Sequence, residues 1–232
     1  MPNILFLRLE GPMQSWGERA RWGVRDTAPE PTKSGIVGLL ACALGLSEDD
    51  DLRGLTGHID IGVRCDRPGR RLVDYHTVSG GVMSAEGKVK RNATTHEPET
   101  VVSWRSYLHD ASFLVVVQAG EGLIERLAEA VQAPHWPIFL GRKSCPPSLP
   151  VFAGTGDFAS VEAALGAIPL RQMRRTLTPM EPSIPSQRVR AVITCLSDGG
   201  VRRRDEIDSR SHRTYLPRYT RDIYLSVPVE YI

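Results

Sequence analysis

The chain has no cysteine pair at metal or redox spacing: Cys42, Cys65, Cys145 and Cys195 are widely scattered. With no CxxC and no His at ligand spacing, the pattern speaks against structural zinc and against a disulfide framework. Nor does any apolar run approach the roughly 18 to 20 residues of a membrane span, and Met1-Pro2-Asn3-Ile4-Leu5-Phe6-Leu7 lacks the basic and long apolar regions of a signal peptide. The expectation is a cytoplasmic globular protein with no metal or other cofactor and no membrane contact. In that compartment Asn92-Ala93-Thr94, a formal glycosylation sequon, carries no meaning. Internal repeats and low-complexity blocks are also missing.

What is present is an ordinary core and unevenly placed charge. At 232 residues and 41% hydrophobic content the chain can form one large domain or two small ones. Net charge is only +2, yet between Arg171 and Arg221 there are twelve arginines against five acidic residues. A planar guanidinium suits phosphate, and a local basic surface on a near-neutral protein fits nucleic acid as well as it fits plain solvation.

Residues 4–10 read as a buried strand stopped by Gly11-Pro12. The loop after it interleaves Gln14 and Trp16 with Arg19, Arg21, Trp22 and Arg25, a stacking and phosphate-binding composition, although a lone Trp is more often a core plug. Ile36, Leu39, Leu40, Ala43 and Leu44 then fall on one face of a helix. Its start, Pro31-Thr32-Lys33-Ser34-Gly35, places hydroxyls and a lysine where free N–H groups favour an anion; the order is Lys-Ser-Gly, so this is no GxxxxGK[ST] phosphate loop, and capping by Thr32 or Ser34 is the commoner role. The acidic run 48–51 reads as the cap and first turn of a short helix rather than a metal site.

Segments 58–66 and 71–78 alternate apolar and polar residues, and Arg67-Pro68-Gly69-Arg70 between them predicts a hairpin. Residues 79–100 turn to glycine, charge and hydroxyls with a basic cluster at Lys88, Lys90 and Arg91; at about twenty residues this is a projecting arm or functional loop. Strands are expected at 101–108, with Arg105 facing away from Trp104, and at 111–119, a continuous apolar run typical of a central strand. A second amphipathic helix, 122–133, carries Leu123, Leu127, Ala130 and Val131 on its buried side.

Pro137-Ile138-Phe139-Leu140 reads as a short strand running into Gly141-Arg142-Lys143-Ser144-Cys145-Pro146-Pro147. Glycine permits close backbone approach, Arg142 can fork onto a phosphate, Lys143 is a point charge, and the prolines end the element. Taken alone this is more often a plain basic loop than an anion site. Up to this point the gross order is strand, helix, strand, strand, helix, strand, so the expected fold is α+β with a ferredoxin-like, RRM-like palm. The aromatic RNP signature of RRM domains is missing. The expected organisation is residues 1–150 as palm and 151–232 as an extension packed on it, with a short helix at 159–167, a basic proline-containing loop at 171–190, and strands at 189–196 and 222–227 forming a small additional sheet.

Gly11-Pro12-Met13-Gln14-Ser15-Trp16-Gly17, Pro31-Thr32-Lys33-Ser34-Gly35, Asp74-Tyr75-His76-Thr77-Val78, the stretch from Trp104 to Phe113, and Leu140-Gly141-Arg142-Lys143-Ser144-Cys145-Pro146 together resemble the CasD family. The likeness runs in register through Leu216-Pro217-Arg218-Tyr219. It implies a palm with a protruding β-hairpin thumb at about 79–100, gripping the 5′ handle of the guide RNA (crRNA) in the type I-E CRISPR surveillance complex, Cascade. The implied partners are that handle, the backbone subunit and the large subunit, with target DNA met only indirectly. By matching position Arg105, Phe139, Arg142 and Lys143 are implied handle contacts, and Arg218 lies in the stretch where the likeness ends. Phe139 departs from the tyrosine common there, which keeps a ring for stacking but removes a hydroxyl.

The implied role is binding rather than catalysis. The rival is a metal-independent ribonuclease in which His76 beside Tyr75, with Lys88 or Lys90, serves a 2′-hydroxyl attack. A plain scaffold whose arginines meet only protein is a third class, and it predicts no affinity for handle RNA.

Overall fold

Alternating Ile4 and Phe6 on one side with Leu5, Leu7 and Leu9 on the other make Ile4–Glu10 (β1) a strand apolar on both faces, which only the interior of a sheet accommodates. The computed structural model describes residues 2–19, 23–47, 52–80, 83–84, 86–172, 185–209 and 214–231. Short strands Met13–Gln14 (β2) and Val24–Arg25 (β3) precede helices Lys33–Leu44 (α1) and Arg53–Thr56 (α2). Strands Asp60–Arg67 (β4), Arg70–Val78 (β5), Val101–His109 (β6) and Ser112–Gln118 (β7) lead to helix Glu121–Gln132 (α3). The chain ends with Phe152–Gly156 (β8), Val161–Ala167 (α4), Leu170–Gln172 (β9), Ser186–Cys195 (β10), Val201–Ser209 (β11) and Thr214–Tyr231 (β12).

One large sheet runs β11-β12-β10-β4-β7-β1-β8, with β9 added beside β12. Strand β7 sits inside it, Val115 opposite Leu7 of β1 and Val63 of β4. Leu5, Leu7, Val115 and Val117 pack under α1 and α3, whereas Ile4, Phe6, Leu114 and Val116 pack under Val161, Ala164 and Leu165 of α4. Covering both faces explains the continuous apolar run of β7. Each such fully buried aliphatic side chain contributes roughly 1.5–3 kcal/mol.

Three sequence expectations change here. Arg67-Pro68-Gly69-Arg70 is not a hairpin: β4 pairs with β7 and β10, while β5 leaves for a second sheet and pairs with β6. Gly69 at φ +73° makes that switch, and a Cβ there would lie 2.6 Å from the His109 carbonyl oxygen. The C-terminal strands form no separate sheet, because Ala191, Val192 and Ile193 of β10 pair with Arg64, Val63 and Gly62 and so extend the main one. Helix α1 is buried nearly all round, including Val37 and Ala41, rather than on one face. The acidic run 48–51 lies outside the described residues, and among those described no helix is long and apolar enough to cross a membrane.

The second sheet is built on β6. Strand β5 pairs with it from Arg70↔His109 to Val78↔Val101, and β2 and β3 take its other edge. Tyr107 and Leu108 are buried in the core, whereas Val101 and Val78 at the far end are 40% and 41% exposed. The β5–β6 ribbon therefore leaves the body as it rises. Beyond it the arm continues with isolated bridges Met83↔Val89 and Arg91↔Pro98.

Candidate nucleic-acid interface

Residues 137–140 are a loop rather than a strand, and the turn that follows closes on itself: Leu140 N–H donates to the Cys145 carbonyl at 2.7 Å, and Cys145 N–H to that of Arg142 at 2.9 Å. Ser15 N–H donates to the Leu140 carbonyl at 3.0 Å. Gly141 sits at φ +91° with its missing Cβ aimed at Ser15, so the first and last of the sequence blocks are packed backbone to backbone.

The fork of Arg142 is turned inward. Its Nη1 donates to the Ser106 carbonyl at 3.1 Å and its Nη2 to those of Arg25 and Asp26 at 3.1 and 3.3 Å, with the guanidinium 4.7 Å from the Tyr107 ring centroid. Arg142 thus ties β3, β6 and the loop together, which differs from the expected free phosphate fork. Around it stand three further cations. Arg25 pairs with Arg105 across β3 and β6, and Lys143 follows Arg142 in the loop, exposed. Arg105 Nε donates to Ser103 Oγ at 3.2 Å. Among the described residues neither Arg25 nor Lys143 makes a side-chain hydrogen bond or ion pair. The four cations on these three segments, with Asp74 the acidic residue paired opposite Arg105, form a phosphate-directed corner. Phe139 is half-buried beside it in sequence. Tyr107, which the sequence reading passed over, was signalled only by its i+2 spacing from Arg105 on the same strand face.

The start of α1 is occupied from within. Thr32 Oγ1 accepts from Gly35 N–H at 3.2 Å, the expected cap. Lys33 N–H donates to Asp205 Oδ2 at 2.9 Å and Lys33 Nζ to Glu206 at 3.2 Å. Arg218 closes on the same carboxylate from Nε at 2.7 Å and Nη2 at 2.9 Å. Burial pushes the Asp205 carboxyl up, but the bonds and charge of Arg218 with the Lys33 N–H outweigh it and hold the group below its ordinary range. Lys33, Thr32 and Arg218 are therefore buried structural partners, a correction to their reading as RNA contacts. The same holds for Gln14, whose Nε2 donates to the Leu9 and Ala111 carbonyls, and for Trp16, 1% exposed with Nε1 on Gln14 Oε1. Ser34, half-buried, lines a cavity of about 250 Å³ with Ser15, Gly17 and Gly141.

The local basicity of the tail is likewise partly internal. Glu30, 0% exposed, accepts from Arg190 at 3.0 and 3.1 Å and also from Arg203. In the arm Lys88, Lys90 and Arg91 are exposed, with Arg91 Nη1 on the His96 carbonyl at 2.9 Å. Arg19 is exposed near the loop, and Arg21 lies outside the described residues.

His76 Nδ1 stands 3.8 Å from Asp74 Oδ2 on one face of β5, and adjacent Tyr75 faces the other. Side chains on opposite faces do not converge on one phosphodiester.

Residues 4–220 match the model of the family described as CRISPR-associated protein (Cas_Cas5). The chain is 39% identical over 178 residues to the CRISPR system Cascade subunit CasD of Escherichia coli (strain K12), covering 71% of this chain and 76% of that one. Among solved structures it is similar to a chain of a CRISPR RNA-guided surveillance complex, with TM-score 0.78 and 33% identity over 97% of this chain and 91% of that chain. It is also similar to a Cas protein of known crystal structure, with TM-score 0.72 and 32% identity over 98% of each.

Proposed function

The chain belongs to the CRISPR-associated Cas5 family, and from that premise we propose that it is the subunit of a type I-E Cascade complex that grips the 5′ handle of the guide RNA. The observation that carries this is the corner formed by Arg25, Arg105, Arg142 and Lys143. Its exposed members present phosphate-binding groups, while Arg142 holds the three segments that carry them in fixed register. Phe139 adjoins the basic loop in sequence, Ser34 lines a cavity with Gly141, and Lys88, Lys90 and Arg91 place cations in the arm among Glu86, Glu97 and Glu99.

The antiparallel order β8-β1-β7-β4 with α1 and α3 on one face supports a ferredoxin-like palm, and the rising β5–β6 ribbon supports a thumb. In this reading the body contacts the backbone and large subunits, the arm follows the RNA, and no covalent bond is broken. The opposed faces of Tyr75 and His76 support the last point against a ribonuclease. Two assays test the proposal on the purified full chain with cognate repeat RNA in EDTA: salt-dependent binding with the RNA intact is expected. One discrete cut that disappears in His76→Ala overturns the binding-only role, and no binding at low salt overturns the RNA-gripping role.

A further inference from the structure

Tyr75 and Trp104 are directly paired across β5 and β6, their rings edge to face at 5.5 Å between centroids and 69° between planes. They are 60% and 49% exposed. Val24, paired with Trp104 across β3, and Val73, two residues along β5 from Tyr75, share their face and are each 53% exposed. The core of this chain takes in most of its aliphatic side chains, so two adjacent rings left in water on a sheet face require an occupant.

Charge decides which occupant fits. Toward the base of the ribbon on the same face, Arg71 is held by Ser106 Oγ, which accepts from Nη2 at 2.9 Å and Nε at 3.3 Å. Toward its tip stand the exposed Lys88, Lys90 and Arg91, interspersed with exposed Glu86, Glu97 and Glu99, of which Glu86 lies 4.0 Å from Lys88. A polyanion laid along the ribbon meets cations on either side of the rings. Successive bases stack on such rings irrespective of sequence, because every base has a π face.

We infer that the Tyr75–Trp104 pair is a stacking platform for unpaired bases of the bound RNA. The inference rests on the RNA-binding reading above and extends it to the ribbon face opposite Arg105, so that the strand straddles the ribbon. Because the phosphates are held elsewhere, the rings add affinity without adding salt dependence.

The test uses the full chain and a synthetic oligonucleotide copying the leading segment of the guide recovered from the reconstituted complex, with 2-aminopurine placed at one position at a time. Trp104→Ala is expected to weaken binding about tenfold with the slope of log Kd against log salt unchanged, and Trp104→Phe to stay within about threefold of wild type. At least one 2-aminopurine position should be quenched by wild type and released by Trp104→Ala. Tyr75→Ala, with its urea midpoint checked, gives the same weakening from the other ring. Wild-type affinity in both alanine variants overturns the inference, as does a loss accompanied by a fall of about 0.7 in slope, the mark of a lost phosphate. Unchanged RNA affinity with failed entry into the complex also overturns it and assigns the rings to a protein partner. No binding by wild type defeats the underlying reading instead.

Discussion

A Cβ built on Gly141 would stand 1.7 Å from the carbonyl oxygen of Ser15, and the backbone there lies at φ +91°. Any side chain at this position must push the basic loop off the segment that follows β1. Gly141→Ala is expected to cost on the order of 3 kcal/mol and to weaken RNA binding, because Arg142 and Lys143 ride on the displaced loop. Urea denaturation reads the first effect and filter binding the second.

Charge substitutions at the corner should separate into two kinds. Lys143→Ala, Arg25→Ala and Arg105→Ala are each expected to lower affinity and to reduce the salt slope by roughly 0.7 per phosphate lost, with stability nearly unchanged. Arg142→Ala should differ. It strips the Ser106, Arg25 and Asp26 carbonyls of a donor, so a stability loss of about 1–3 kcal/mol accompanies weaker binding. Paired titrations and urea curves distinguish the classes.

Asp205 ties stability to acid. Its folded-state pKa lies below the unfolded value, so the unfolded chain takes up the proton first as pH falls. The stabilisation is complete above the ordinary carboxylate range and is lost below about pH 4. Asp205→Asn should therefore be less stable than wild type at neutral pH, with the gap closing in acid. Arg218→Ala leaves the carboxylate buried without its main partner and is expected to cost about 3–5 kcal/mol at pH 7. Urea midpoints across pH 2–7 check both.

Burial pushes the Cys65 thiol up to about 11 despite nearby Arg190, and burial likewise raises Cys145. An aromatic disulfide reagent at pH 8 should react with half-exposed Cys195 in the folded protein and with Cys65 and Cys145 only after urea is added. Mass spectrometry of the labelled peptides assigns each site.

Elements whose partners are apolar were legible in the sequence. The period of α3, the unbroken run of β7 and the polarity of the arm all report how each segment meets water, whereas the two-residue strands β2 and β3 leave no such mark and β8, not residues 137–140, pairs with β1. What stayed hidden depends on distant partners. Strand β11 reads as a charge run because Arg203, Asp205 and Glu206 face Glu30 and Lys33, more than 170 residues away, and Arg218 on the next strand. The turn at Gly69 has hairpin composition, but exit to a second sheet is set by what covers β4, where Arg64 is buried against Asp66 and the Leu165 and Ile168 carbonyls. At the candidate site the blocks were visible, yet which of their polar groups cap and clamp the frame was not. Gln14, Trp16, Thr32, Lys33 and Arg218 read as ligand contacts in the sequence because an internal hydrogen bond and a phosphate contact draw on the same residue types.

The most direct measurement is position-resolved ultraviolet crosslinking in a reconstituted complex whose guide carries 4-thiouridine at single positions from its 5′ end. This chain is expected to crosslink to the leading nucleotides, through peptides containing residues of β6, the 139–143 loop or the arm. Crosslinks from those nucleotides to another subunit, with none to this chain, would contradict the account.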